Sequence, residues 1–107
     1  MNVKFLNPFI EAASEVLQAE CNVKIEKGAV VLQKSAMTAN DITVLISMVG
    51  QIQGVVLYEL SAQTGLALIS RSVGQEFTEL NSLAESGIAE LGNVITGRAT
   101  IKLSNAG

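Results

Sequence analysis

Ser82-Leu83-Ala84-Glu85 opens the segment that most restricts how this chain folds. Serine and glutamate three apart form a capping box, in which each side chain satisfies a backbone N–H that the first helical turn leaves unpaired. The pattern predicts a helix from Ser82 to about Lys102. At about 100° per residue, Ala84, Ile88, Leu91, Ile95 and Ala99 fall within one sector, and that sector must face a core. Ser86, Glu90, Asn93 and Gly97 fall on the opposite side, spaced i, i+4, i+7 and i+11, as a single stripe that the core does not need. The rest of the chain therefore has to cover one side of this helix and leave the other to solvent.

The preceding segments supply that cover. Asn7-Pro8 reads as a cap followed by proline in the first turn, where its missing N–H costs nothing, and Glu11 is placed near the positive end of the helix dipole. Phe9, Ala12, Ala13, Val16 and Leu17 recur at helical spacing, so a first helix is expected over about residues 8–20. Val23-Lys24-Ile25-Glu26 alternates as a half-buried strand does, Lys27-Gly28 is a turn, and Ala29-Val30-Val31-Leu32 continues extended. Ile42 to Val49 is rich in branched residues, with Thr43 and Ser47 on one face, and Val55 to Leu60 follows after a loop bounded by Gly50 and Gly54. Two apolar runs around such a loop predict a β-hairpin. Ser61 caps a second helix over about residues 62–73, with Leu66, Ala67, Ile69 and Val73 on its apolar side and Gly74 at its end. Gln75 to Leu80 reads as a linker. The expected fold class is α+β, an antiparallel sheet of at least three strands packed against helices, with the first and third helices side by side.

Composition removes most chemistries. Among 107 residues there is no histidine, which excludes Ser-His-Asp triads, Cys–His pairs and His-ligated zinc. The single cysteine, Cys21, allows no intrachain disulfide and no cysteine cluster, and reads as a small apolar filler. A net charge of −3 and only four aromatic residues argue against a nucleic-acid partner. No glycine-rich phosphate loop is present. The longest apolar stretch, Ile42 to Gly50, is broken by Thr43 and Ser47 and falls short of the roughly 18–20 residues that span a bilayer, so no membrane association is expected. Met1 to Phe5 carries one positive charge and then meets polar residues, unlike a secretory signal, which points to the cytoplasm. No metal ligand set is expected. Carboxylate, amide and hydroxyl groups remain. Glycine inside a helix costs about 1 kcal/mol relative to alanine, so Gly92 and Gly97 imply close approach by a neighbour, a packing neighbour for Gly92, which lies off the stripe.

Ser86-x3-Glu90-x2-Asn93 resembles the signature of the CheC/CheX/FliY family of response-regulator phosphatases. Asn7-Pro8-Phe9-Ile10-Glu11-Ala12-Ala13 looks like the opening helix of CheX proteins, and Gly54-Val55-Val56-Leu57 and Gly74-Gln75-Glu76 are similar too. The most specific piece is Glu90-Leu91-Gly92-Asn93-Val94-Ile95-Thr96-Gly97. The resemblance implies removal of the phosphoryl group from the phosphoaspartate of a CheY-type receiver in chemotaxis. It gives Asn93 the task of orienting a water for in-line attack and Glu90 that of pairing with the receiver's lysine, with Ser86 and Gly97 as partner contacts. It implies no cofactor bound by this chain, Mg²⁺ supplied by the receiver, and a homodimer.

An amide suits the task, because it donates to and accepts from one water at once, and phosphoryl transfer depends on positioning more than on a base. The family signature also includes a proline well beyond the asparagine. The sole proline here is Pro8 and the chain ends at Gly107, so residues 1–107 are expected to form a single CheX-like domain lacking C-terminal strands that complete the sheet and the dimer. Asn7-x3-Glu11-x2-Ser14 repeats the motif's spacing with only glutamate shared, and chance competes with a true repeat. Two other functions are open: a non-catalytic module that docks a receiver through the same helix face, and a structural assembly domain whose oligomer does not depend on Glu90 and Asn93.

Overall fold

Helix α3 runs over Ser82–Asn105, 24 residues, and the other elements are arranged along it. The structure is a computed structural model that describes residues 6–25, 41–48 and 54–105. Helix α1 covers Asn7–Cys21, strands β1 and β2 cover Ile42–Met48 and Gly54–Leu60, and helix α2 covers Ala62–Val73. The cap of α3 lies one residue before the expected serine: Asn81 Oδ1 accepts the Ala84 N–H at 2.8 Å, and Glu85 sits in the first turn. Asparagine caps as well as serine does, so the register of the helix is unaffected.

The predicted core sector is buried throughout. Ala84, Ile88, Leu91, Ile95 and Ala99 all face inward, and Gly92, Thr96 and Leu103 extend the same side. This side serves two apolar clusters. Leu91, Ile95 and Ala99 meet Ala12, Val16 and Cys21 of α1. Ala84 and Ile88 meet Val44 of β1, Ile69 of α2 and Phe77. Phe77 lies in the segment expected to be a plain linker, yet it is 7% exposed and its N–H donates to Ser70 Oγ at 2.9 Å. Tyr58 of β2 packs against both clusters. Its hydroxyl shares a 2.7 Å hydrogen bond with Thr96 Oγ1, which satisfies a buried polar group on α3.

Strands β1 and β2 pair antiparallel, with Ile42 opposite Leu60 and Met48 opposite Gly54. The hairpin was thus legible, and Thr43 and Ser47 do share its outer face. The sheet of at least three strands is corrected to two strands among the described residues. Val23, Lys24 and Ile25 alternate partly buried, exposed and partly buried, but form no strand. Asn22 takes a left-handed conformation at the end of α1, with φ of 55°, and the Val23 N–H is used on Leu17 O at 3.3 Å. The backbone group that a ladder needs at this point closes the helix instead. Glu26 and Ala29 to Leu32 lie outside the described residues, as does the loop containing Gly50.

The first helix starts differently from the expectation. Leu6, not Asn7, stands at its cap and no side chain caps it, while Pro8 falls in the first turn as expected. No acidic residue lies in that turn, so Glu11 has no dipole role. In α2 the Ser61 hydroxyl accepts the Thr64 N–H at 3.1 Å, Asp41 Oδ2 accepts the Ala62 N–H at 2.9 Å, and Gly74 ends the helix at φ 77°. Ile69 and, in part, Leu66 are buried, but Ala67 is exposed and Val73 is 53% exposed. Gly65 and Leu68 occupy the inner side instead.

Three glycines of α3 separate by environment. A Cβ at Gly92 would stand 2.9 Å from Val44 Cγ1, so packing against β1 explains it. A Cβ at Gly87 would collide with Ile69 Cδ1 and lie 2.8 Å from its Cγ1, which makes Gly87 the contact that admits α2. A Cβ at Gly97 meets nothing within 4 Å. Gly87→Ala is expected to lower the unfolding free energy by about 1–3 kcal/mol through overpacking. Gly97→Ala is expected to raise it by about 0.5–1 kcal/mol through helix propensity alone. Urea titration of the two variants checks both signs. Tyr58→Phe is expected to cost about 1 kcal/mol in the same titration, and less when Thr96 is already valine.

Candidate functional site

Ser86, Glu90, Asn93 and Gly97 are all exposed, on the side of α3 turned away from both clusters. The helix holds them there because the apolar sector fixes its rotation: with Leu91, Ile95 and Ala99 inward, the residues half a turn away must point out. Glu90 and Asn93 are three apart and therefore project from adjacent turns of one face. Among the described residues, no hydrogen bond or ion pair engages either side chain. Ser86 stands one turn before Glu90 and Gly97 one turn after Asn93, so the structure brings all four sequence candidates into one strip.

The strip is convex. The apolar cavity of about 310 Å³ bounded by Ala13, Leu17, Leu57, Leu68 and Ile95 lies on the other side of α3, against the hairpin and α1. Glu90 and Asn93 do not line it. Among the described residues, no three histidine, cysteine, aspartate or glutamate side chains gather where a metal ion would be held. Among the described residues, this carboxylate and amide stand on an open helix face that encloses no cavity around them.

The seam between α1 and α3 borders this face. Glu15 Oε2 accepts from Lys102 Nζ at 2.8 Å and Glu15 Oε1 from Arg98 Nη1 at 3.3 Å, while Lys102 also stands 3.6 Å from Glu11. The hydrogen bond from Lys102, assisted by Arg98 against partial desolvation, holds the Glu15 carboxyl below the ordinary carboxylate range. The same bond, ahead of the nearby charge of Glu11, raises the Lys102 ammonium. These pairs turn the two basic residues of the C-terminal half of α3 toward α1. Glu11, the glutamate of the repeated spacing, belongs to this group of ion pairs. Sequence reasoning singled out the polar members of the exposed face and passed over Leu83, Val94 and Ile101, large apolar residues on the same side that stay exposed. Their signal was the same helical arithmetic, applied to apolar residues that the core does not claim.

The described elements superpose on solved structures of CheC-like proteins. A CheC-like superfamily protein from Shewanella sp. PV-4 superposes with a TM-score of 0.88 at 29% identity, over 99% of this chain and 70% of that one. The chemotaxis protein CheX of Vibrio vulnificus has the same fold, with a TM-score of 0.86 at 24% identity over 96% of this chain and 69% of that one. The family described as chemotaxis phosphatase CheX matches residues 42–107, more than half of the chain and all of α3. The CheY-P phosphatase CheX of Thermotoga maritima is 27% identical over 108 residues, 100% of this chain and 70% of the relative. The chain belongs to the CheX family.

The ion pairs of the seam generate a pH prediction. A carboxyl lowered in the folded state adds stability above its ordinary pKa and loses it as pH falls through the lowered value. A raised lysine adds stability below its ordinary pKa and loses it as pH rises through the raised one. Glu15→Gln is therefore expected to lower Tm slightly near neutral pH, with the difference vanishing in acid and shrinking at high salt. Calorimetry of the two proteins across pH and ionic strength measures it.

Proposed function

We propose that this protein is a phosphatase that dephosphorylates the phosphoaspartate of a CheY-type response regulator in chemotaxis. One observation carries the reading: in a chain of the CheX family, Glu90 and Asn93 stand unengaged, among the described residues, on the exposed face of α3 opposite the core. A relative that is itself named a CheY-P phosphatase supports it.

Each side chain has a role that its chemistry permits. Asn93 enters the receiver's site, where its carboxamide oxygen accepts from a water and its NH₂ donates, so that the water oxygen lies in line with phosphorus. The water attacks phosphorus, the bond to the aspartate oxygen breaks, and the receiver's carboxylate leaves as inorganic phosphate forms. The transition state is loose and the leaving group is a carboxylate, so placement of the water is the main requirement. Glu90 pairs with the receiver's lysine beside the phosphoaspartate and so holds Asn93 in register. Mg²⁺ comes with the receiver, and this chain adds no cofactor. Ser86 and Gly97 contact the receiver at either side of the pair. A rigid helix serves a probe of this kind because it carries both groups into a foreign cavity without ordering costs. The working state is a homodimer in the cytoplasm.

Asn93→Ala is expected to reduce stimulated decay of the phosphorylated receiver by about 100-fold or more, because the water loses its placement. Tm should stay unchanged, since the side chain is exposed. Phosphate release with Mg²⁺, with and without each protein, is the measurement, and a fully active Asn93→Ala protein would defeat the assignment.

A further inference from the structure

Leu83 is 61% exposed, Val94 39% and Ile101 63%, on a helix whose other side is fully packed. Single exposed apolar residues on a protein surface need no explanation. These three are not scattered. With Glu90 and Gly97 they recur as Leu83, Glu90, Val94, Gly97 and Ile101, at i, i+7, i+11, i+14 and i+18, which is one straight line along α3. The line is about 27 Å long, lies opposite the buried sector, and passes beside Asn93. Gly97 adds an independent sign. It sits well inside a 24-residue helix, and among the described residues no neighbouring element comes within 4 Å of a Cβ placed there. Gly87 and Gly92 have packing neighbours that require glycine. Gly97 has none among the described residues, and it carries the helix-propensity cost without a packing cause there.

We propose that the exposed face of α3 from Leu83 to Ile101 is one continuous docking strip for a partner protein, in which Leu83 and Ile101 are apolar anchors at the two ends and Gly97 admits close approach of the partner. This rests on the functional reading above, and the partner is the receiver on which Glu90 and Asn93 act. The strip assigns the tasks separately: the central pair does the chemistry, and the apolar ends set affinity and partner choice.

Charge decides the occupant. In a second copy packed antiparallel, Leu83 would meet Ile101, but Glu90 would lie against Val94 and lose its water to an apolar neighbour. In a parallel pair, Glu90 would face Glu90. The basic residues nearby do not relieve either arrangement, since Arg98 and Lys102 are paired with Glu15 and Glu11 across the seam to α1. An unpaired buried carboxylate costs more than two apolar contacts return. The face therefore fits a foreign protein that sets a cation against Glu90 and apolar surface against both ends.

The test uses the full chain and a phosphorylated CheY-type receiver, with decay measured over a range of receiver concentrations. The double variant Leu83→Ser/Ile101→Ser is expected to raise KM about tenfold or more, as loss of two buried aliphatic contacts requires, with kcat within about twofold of wild type. Leu45→Ser, 61% exposed in the wild type on the outer face of the hairpin, serves as control and should leave both constants unchanged. Gly97→Ala should raise KM while raising Tm, a combination that a purely structural role for Gly97 does not produce. Unchanged KM in the double variant, with wild-type acceleration intact, overturns the strip and leaves the phosphatase reading standing. If the wild type does not accelerate decay, the phosphatase reading falls, and calorimetric binding to the receiver decides on the strip. Affinity reduced about tenfold by the double variant then supports it; no binding, or binding that the variant leaves unchanged, overturns it. Self-association of the wild type that the double variant abolishes also overturns it, in favour of a second copy.

Discussion

Burial of one side of α3 is the interaction on which the remaining structure depends. The helix gives its C-terminal half to α1 and its N-terminal half to β1, α2 and Phe77, so a single apolar sector joins two clusters that otherwise share only Tyr58. Small residues let this happen at close range. Ala12 and Ala99 are fully buried where α1 and α3 meet, and Gly87 and Gly92 give way to Ile69 and Val44. A protein interior is close-packed, so each of these approaches sets where the next element sits. The Tyr58–Thr96 hydrogen bond ties the hairpin to the same helix at the boundary between the clusters.

The functional face is a consequence of that burial. Once the inner sector is committed, rotation of α3 about its axis has no freedom left, and Glu90 and Asn93 are held outward on a rod backed along its length. The ion pairs of Glu15 with Arg98 and Lys102 complete the arrangement by drawing the nearby positive charge toward α1. Among the described residues, the outer face carries one unengaged carboxylate, one amide, the Ser86 hydroxyl, a glycine with open space above it and three aliphatic side chains. On the proposed reading this face enters a cavity in another protein, and the absence of histidine from the chain is no handicap there, because placing a water needs an amide rather than a base.

The agreement between expectation and structure follows the range of the interactions involved. Helical periodicity and capping are local, and α2 and α3 begin within a residue of where the pattern puts them. Boundaries differ where two equivalent residues compete, as at Asn81 and Ser82, or where no side chain caps the first turn, as at Leu6. The alternation of Val23-Lys24-Ile25-Glu26 predicts a strand, but alternation describes only which side faces inward, and at its described start the Val23 N–H closes the end of α1. Ala67 and Val73 looked like an inner face of α2 on apolarity alone, and the close contact at Gly65 rotated the helix otherwise.

The rotation of α3, and with it the outward stripe of Ser86, Glu90, Asn93 and Gly97, follows from residue order alone, because a period of about 3.6 residues separates the two sides without reference to anything else. The hairpin follows in the same way, from two branched apolar runs around a glycine-bounded loop. Which glycines are packing sites and which is open is settled by the folded structure, since that depends on what stands above each Cα. It alone showed that Glu11 is spent on Lys102 and that Phe77 is a core residue. It alone separated Leu83, Val94 and Ile101 from the core, because an aliphatic side chain reads the same in a sequence whether a neighbour covers it or a partner does.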